Sequence, residues 1–146
     1  MQDRTQEQRN YCERKLAYEI DSWDLKVAIE AGEKVTVVDA RSRQAFGRGH
    51  IPGAVNIPHR EMTVESTAAV DRDSLVVAYC DGIGCNASTK GALRMLDLGF
   101  RVRELIGGID WWVRDGHPLD PCAAGTSEGC GCGGEDRRTV AGGGAL

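Results

Sequence analysis

The sequence predicts an α/β domain in which a mostly parallel central sheet is flanked by helices. Two observations lead to this prediction: strand-like runs alternate with helical segments along the chain, and the run LVVAY at residues 75–79 is almost entirely apolar. Such alternation is typical of parallel sheets, because each parallel pair of strands needs a crossover connection. A continuous apolar strand indicates burial on both faces of the sheet.

Local signals place the elements within residues 21–120. Asp21 is a suitable N-cap and Gly32 a suitable stop for a helix over residues 22–31. Periodicity and β-branched runs predict the remaining elements. They are, in chain order, strands at 35–39, 54–57 and 75–79, a helix at 87–98, a strand at 101–105 and a short helix at 109–114.

The bulk composition is that of one ordinary globular domain. The chain has 146 residues, of which 41% are hydrophobic and 27% charged, which suffices for a single core. The net charge of −4 argues against an extended nucleic-acid-binding surface. No apolar run approaches the roughly 20 residues that span a bilayer, and the polar first residues do not suit a secretory signal. We therefore expect a cytoplasmic protein without nucleic-acid or membrane partners; the composition leaves its oligomeric state open.

The chain divides into three regions by composition. Residues 1–20 are polar, with a frayed helix expected near residues 11–19, and residues 21–120 carry the apolar segments of the expected domain. Residues 121–146 are rich in glycine and contain Cys122, Cys130 and Cys132. This tail has little to bury, so we expect it to be flexible. Its cysteine spacing fits no standard zinc pattern, and we expect no metal and no cofactor.

The most informative residue is Cys80, which directly follows the buried strand at 75–79 and precedes a loop with two glycines. In open α/β sheets, ligands bind at the carboxyl ends of the strands. The helix that follows the loop begins with unpaired N–H groups and a partial positive charge. We expect these to lower the pKa of Cys80 and to hold an oxyanion or the outer sulfur of a persulfide. The alternative is a buried cysteine that only packs.

The candidate site consists of this cysteine, its loop and four supporting residues. Cys80 is the candidate catalytic residue, and the candidate substrate-binding loop is Asp81, Gly82, Ile83, Gly84, Cys85 and Asn86. Cys85 either exchanges with Cys80 or points away from it. The supporting residues are Asp39, Arg41, Ser88 and Lys90. Of these, Ser88 shares with Asn86 the role of candidate helix cap, and Lys90 is a candidate source of positive charge.

Four motifs follow one another along the chain. They are VVDAR at 37–41, GHIPGAVNIP at 49–58, YC at 79–80 and GGIDWW at 107–112, the last followed by GHPL at 116–119. In this order they resemble the motifs of the rhodanese superfamily. The resemblance covers residues 23–119 and implies a three-layer, single-domain rhodanese-like sulfurtransferase. It also implies a persulfide cycle, in which Cys80 takes sulfane sulfur from a donor such as thiosulfate and passes it to a thiol or protein acceptor.

One departure from the family pattern concerns the loop after Cys80. The distance from Cys80 to Gly99 is two residues longer than in the common form, and the loop carries Asp81 and no basic residue before Lys90. A dianion such as thiosulfate prefers a cationic pocket. The departure therefore favours a protein-bound or low-molecular-weight persulfide as the donor.

Two other functions remain open. A phosphatase or arsenate reductase would use the cysteine loop to hold an oxyanion, but Asn86 stands where a Cys-x5-Arg pattern requires arginine. A non-catalytic rhodanese-like binding module is the second alternative, and the presence of Cys80 argues against it. His50 is expected to bond to backbone groups, Trp111 to pack in the core and Trp112 to line the pocket.

Overall fold

The computed structural model describes residues 3–121. The expectations for the tail at 122–146, including its three cysteines, therefore lie outside the described residues. The helices are α1 (Arg4–Tyr18), α2 (Ser22–Glu30), α3 (Arg43–Arg48), α4 (Ala87–Asp97) and α5 (Gly108–Arg114). The strands are β1 (Glu19–Ile20), β2 (Val35–Asp39), β3 (Val55–Asn56), β4 (Leu75–Tyr79) and β5 (Arg101–Leu105), and a 3-10 turn spans His59–Glu61.

The five strands form one parallel sheet in the order β1-β5-β4-β2-β3. The central strand β4 pairs with β2 on one side and with β5 on the other, and its last four residues are fully buried. The predicted α/β class with a parallel central sheet is therefore confirmed.

Two hydrophobic clusters lie on opposite faces of this sheet and make three layers. Successive residues of a strand point to opposite faces, so Val77 joins one cluster and Val76 the other. The first cluster contains Leu25 of α2 and Trp112 of α5, and the second contains Met95 of α4. The sheet is thus covered by helices on both faces, which is the layering that the resemblance implies.

The start and end signals for α2 act as expected. The Asp21 carboxylate accepts a hydrogen bond from the Asp24 N–H at 2.8 Å, and the chain turns after the helix at Gly32, whose φ is +71°. Helix α1 begins earlier than expected, at Arg4, because the Asp3 side chain caps it by accepting from the Thr5 N–H at 3.0 Å. None of the residues of α1 is buried. Within residues 3–121, no helix is both long and apolar enough to cross a membrane.

Strand β1, helix α3 and the two tryptophans differ from the sequence predictions; β1 pairs with β5 at residues 19–20, where the sequence indicated the end of a frayed helix. Helix α3 was not predicted because it is short, although Ser42 is a recognisable cap whose hydroxyl accepts from the Ala45 N–H at 3.2 Å. The roles expected for the two tryptophans were wrong: Trp112 is 1% exposed and packs in the core, whereas Trp111 is 43% exposed. Adjacent residues on a helix point about 100° apart, so only one of the two faces the sheet.

Candidate active site

Cys80 lies at the carboxyl end of the central strand, with 2% of its surface exposed. Helix α5 fixes its backbone from one side. The Ile109 N–H donates to the Cys80 carbonyl at 3.0 Å, and the Asp110 N–H donates to the Asp81 carbonyl at 2.9 Å. These N–H groups, which have no partner within α5, thus anchor Cys80 and Asp81.

The loop at residues 81–86 turns back, so that the thiols of Cys80 and Cys85 both lie at the start of α4. Its turn is closed by the Cys85 N–H, which donates to the Gly82 carbonyl at 3.1 Å. Asn86 is the N-cap of α4, but its side chain makes no capping hydrogen bond. The backbone N–H of Ala87 acts to lower the pKa of Cys85, and that of Ser88 acts to lower the pKa of Cys80. Both sulfur atoms therefore face the positive end of a helix.

The two thiols share a hydrogen bond, and their acidities move in opposite directions. Burial raises the pKa of Cys80 and the hydrogen bond to Cys85 raises it further, whereas the hydroxyl of Ser88 and, to a smaller extent, its N–H act to lower it. The expectation of a lowered Cys80 pKa was therefore wrong, because desolvation outweighs the helix terminus. Burial also disfavours the Cys85 thiolate, but hydrogen bonds from the Ala87 N–H, the Cys80 thiol and the Asp81 N–H lower the pKa of Cys85.

The thiol proton of Cys80 has two oxygen acceptors nearby. The Cys80 sulfur lies 3.2 Å from the Cys85 carbonyl oxygen and 3.4 Å from the Ser88 hydroxyl oxygen. Ser88 in turn donates to the Glu104 carboxylate at 3.2 Å. The sequence reasoning missed Glu104. The signal for it was a carboxylate near the carboxyl end of a strand that pairs with β4, where Glu104 stands opposite Ala78.

Asp39 and Arg41 form a buried ion pair beside the loop. The Arg41 Nη2 donates to the Asp39 carboxylate at 2.7 Å and to the Gly49 carbonyl at 2.7 Å, while its Nε spans both Asp39 oxygens. Burial opposes the charge of Arg41, but the hydrogen bonds and charge of Asp39 raise its pKa. Arg41 therefore stays charged, and its Nη1 lies 3.4 Å from the Asp81 carboxylate.

A cleft opens on the outer side of the loop, and we call it the loop cleft. It is lined by Arg41, Ala45, Arg48, Gly49, Asp81, Gly82, Ile83, Cys85, Ile109, Asp110, Val113 and Leu119. Cys85 reaches this lining, whereas Cys80 lies beneath it. Ile83 projects at the mouth and is 83% exposed.

Lys90 is a solvated side chain, the alternative to a source of positive charge for the cleft. Its side chain is exposed and lies with His59, Arg60 and Arg94 along a separate groove. Residues of a helix two positions apart lie on different faces, and Ser88 already occupies the face that meets Cys80. The cations of the loop cleft are Arg41 and Arg48, and the sequence reasoning did not single out Arg48.

His50 has the structural role that was expected of it. Its Nδ1 lies 3.0 Å from the Phe46 carbonyl oxygen, and its ring stacks on the Phe46 ring with centroids 3.6 Å apart. His50 is therefore committed to the turn that follows α3 and is not a lining residue of the loop cleft.

The protein has a parallel sheet flanked by helices, and a buried cysteine followed by a loop stands at the end of its central strand. This arrangement defines a cysteine-loop α/β domain. The profile of the family described as "Rhodanese-like domain" matches residues 23–115. The chain belongs to this family.

Three similar proteins show what the chain resembles. The structure of the BH2092 protein from Bacillus halodurans matches with a TM-score of 0.75 and 37% identity, over 80% of this chain and 85% of that one. The sulfurtransferase of Allochromatium vinosum is 33% identical over 104 residues, which are 71% of this chain and 95% of that protein. The HTH-type transcriptional regulator Rv0324 of Mycobacterium tuberculosis is 40% identical over 91 residues. That match covers 62% of this chain and 39% of the regulator, so the chain spans well under half of the regulator's length.

Proposed function

We propose that the protein is a sulfurtransferase that carries sulfane sulfur on Cys80 as a persulfide. The observation that carries this proposal is the position of the buried Cys80 sulfur at the start of α4, 3.4 Å from the hydroxyl oxygen of Ser88 in the first turn of that helix. A persulfide places a second, anionic sulfur beside the first, and helix N-termini stabilise such anions. Membership of the rhodanese-like family and the similarity to a named sulfurtransferase support the same conclusion.

The cycle consists of two displacements at sulfur. In the first, the Cys80 sulfur attacks the outer sulfur of a donor persulfide, so that Cys80–SH and R–S–S⁻ give Cys80–S–S⁻ and R–SH. One S–S bond forms as another breaks, and the proton of Cys80 leaves on the donor thiol. In the second, an acceptor thiolate attacks the outer sulfur and releases the Cys80 thiolate. The N–H groups at the start of α4 hold the negative charge of the intermediate.

The charges of the loop cleft favour a persulfide on a small thiol or on a protein over thiosulfate as the donor. Arg41 is neutralised by Asp39, and Arg48 shares the cleft with the carboxylates of Asp81 and Asp110. Such a cleft offers no net positive charge to a dianion. The acceptor is a small or protein-borne thiol that reaches the loop past Ile83.

No observation favours a phosphatase. The loop at 81–86 contains no arginine. The Arg41 guanidinium beside the loop already donates hydrogen bonds to Asp39 and to the Gly49 carbonyl. A phosphate would therefore lack the bidentate grip that this chemistry uses.

Intact mass spectrometry after incubation with glutathione persulfide, and separately with thiosulfate, tests the proposal. We expect a gain of about 32 Da per sulfur, located by peptide mapping on Cys80 and absent from Cys80→Ser. The matched control is Cys12→Ser, because Cys12 is exposed on α1. Sulfur transfer that survives in Cys80→Ser would remove Cys80 from the mechanism. A parent protein that takes no sulfur from either donor would instead indicate a binding module.

A further inference from the structure

The side chains of Glu104, Ser88 and Cys80 make successive polar contacts that end at the Cys80 sulfur. Cys80 follows β4, Ser88 lies in the first turn of α4 and Glu104 lies on β5. The sulfur is 3.4 Å from the Ser88 hydroxyl oxygen, and that oxygen is 3.2 Å from the Glu104 Oε1. The exposed Thr89 hydroxyl also donates to this Oε1, at 2.7 Å. Cys80 and Ser88 are both buried, so water does not readily replace these contacts.

The number of protons available sets the direction of each bond. The Ser88 hydroxyl donates to the Glu104 Oε1 and accepts from the Cys80 thiol. A serine hydroxyl has one proton, and while that proton points to Glu104 the oxygen offers only lone pairs to the Cys80 sulfur. The Ser88 hydroxyl lowers the pKa of Cys80 only when its proton turns to the sulfur, and Glu104 competes for that proton.

We propose that Glu104 is a positioning residue that acts through Ser88: by holding the Ser88 hydroxyl proton, it keeps the buried Cys80 in its thiol form. A thiol is less readily alkylated and oxidised than a thiolate. Glu104 therefore protects the resting sulfur. The inference rests on the proposed function only for its catalytic consequence, since the protonation of Cys80 is measurable without sulfur transfer.

The other ionisable groups around Cys80 do not provide this contact. The Asp81 side chain is exposed and faces Arg41, and Asp39 is paired with Arg41. On α5, Asp110 pairs with Arg114. The remaining groups are the Tyr79 hydroxyl, which accepts from the Ile51 N–H at 3.1 Å, and the Cys85 thiol, which shares a hydrogen bond with Cys80. Of these ionisable groups within residues 3–121, the Cys85 thiol is the one that contacts Cys80, so the test removes it; the Cys85 carbonyl oxygen, 3.2 Å from the sulfur, remains in every variant.

The test measures the alkylation rate of the Cys80 peptide by iodoacetamide as a function of pH, in a Cys85→Ser background. Glu104→Leu removes the acceptor of Ser88, whose hydroxyl then donates to the sulfur and stabilises the thiolate. We expect the alkylation rate at about pH 7 to rise about tenfold, which corresponds to a Cys80 pKa lower by about one. Glu104→Gln, which keeps an acceptor oxygen but removes the charge, should raise the rate less. It also serves if the leucine variant does not fold.

Ser88→Ala separates a positioning role from a simple charge effect. If Glu104 acts through Ser88, the effect of Glu104→Leu or Glu104→Gln should disappear in the Ser88→Ala background, as a double-mutant cycle shows for coupled residues. Thr89→Val, which removes the other hydrogen bond to the Glu104 Oε1, is the matched control and should leave the pH profile of alkylation close to that of its parent. Identical profiles for the Glu104 variants and their parent would overturn the inference, as would an effect that persists without Ser88. A normal Glu104 effect in a protein that takes no sulfur would overturn the proposed function alone.

Discussion

Gly108 lies directly against the backbone of Cys80: a Cβ added to Gly108 would come within 2.3 Å of the Cys80 carbonyl oxygen. It would also come within 2.9 Å of the Gly82 nitrogen, and Gly108 has a φ of +58°. We therefore expect Gly108→Ala to displace the loop and to lower the free energy of unfolding by about 1–3 kcal/mol from overpacking alone. Urea unfolding measures the loss, and sulfur loading at Cys80 should fall with it.

Gly116→Ala is the matched control for this substitution. Gly116 also has a positive φ, of +81°, but a Cβ there would meet nothing within 4 Å. It should show only the cost of left-handed backbone, about 1–2 kcal/mol, and it should leave sulfur loading unchanged. Equal effects of the two variants on sulfur loading would contradict a specific contact between Gly108 and the loop.

Replacement of the loop carboxylate should change the choice of donor. Asp81 is exposed, 3.4 Å from Arg41, and lines the loop cleft. In Asp81→Arg, a cation replaces an anion beside the donor, so we expect kcat/KM for thiosulfate to rise about tenfold at low ionic strength. The gain should shrink as salt is added. Asp81→Asn, which removes the charge without reversing it, should give a smaller gain, and no gain in either variant would show that loop charge does not limit donor choice.

Cys85 should decide the fate of the sulfur after capture. Its thiol is hydrogen-bonded to Cys80 and its pKa is lowered mainly by the Ala87 N–H against the effect of burial, so it is the readier nucleophile of the pair. Attack of Cys85 on the Cys80 persulfide gives a Cys80–Cys85 disulfide and releases the outer sulfur as hydrosulfide. Without added thiol, we expect loaded protein to end about 2 Da lighter than the reduced form. Peptide mapping locates the bond.

The corresponding variant is Cys85→Ser, which should load sulfur at Cys80 and hold the persulfide longer than the parent. Cys12→Ser, on the exposed α1, should behave like the parent. Equal persulfide lifetimes in the parent and in Cys85→Ser, with no disulfide between the two loop cysteines, would leave Cys85 without a role in turnover.

His117 should make stability fall in mild acid. It is buried between Trp23 and Trp112, its Nε2 has no hydrogen-bond partner within residues 3–121, and burial lowers its pKa. The unfolded chain, with a histidine pKa of about 6.5, therefore binds more protons than the folded one. The free energy of unfolding should decrease as the pH falls below about 6.5. His117→Phe keeps the aromatic packing and should flatten this slope in urea unfolding between about pH 7.5 and about pH 5.5. Equal slopes would assign the acid sensitivity elsewhere.

The sequence predicted those parts of the fold that local rules govern. The apolar run at 75–79 became the central strand, and Asp21 capped α2, because burial and capping are properties of a few neighbouring residues. Helix α3 escaped prediction because six residues carry too little periodicity.

The site was predictable in its location and not in its electrostatics. Cys80 could be placed from the strand and helix around it, but its pKa depends on burial and on Ser88, Cys85 and Glu104, which meet only in the folded chain. The role of Lys90 stayed open for a similar reason: its place in the first turn of α4 does not reveal which face of the helix meets the sulfur.

Main-chain groups hold the reactive cysteines in place, so the outward-facing side chains of the loop are free to determine which molecule binds. The Cys80 and Asp81 carbonyls are held by N–H groups of α5, and the Cys80 and Cys85 sulfurs by N–H groups of α4. The side chains that face outward, such as that of Ile83, take no part in this support. Substitution at such a position therefore alters which molecule meets the sulfur while the sulfur itself stays in place. The same reactive centre can in this way be retargeted from one partner to another by single changes at the loop surface.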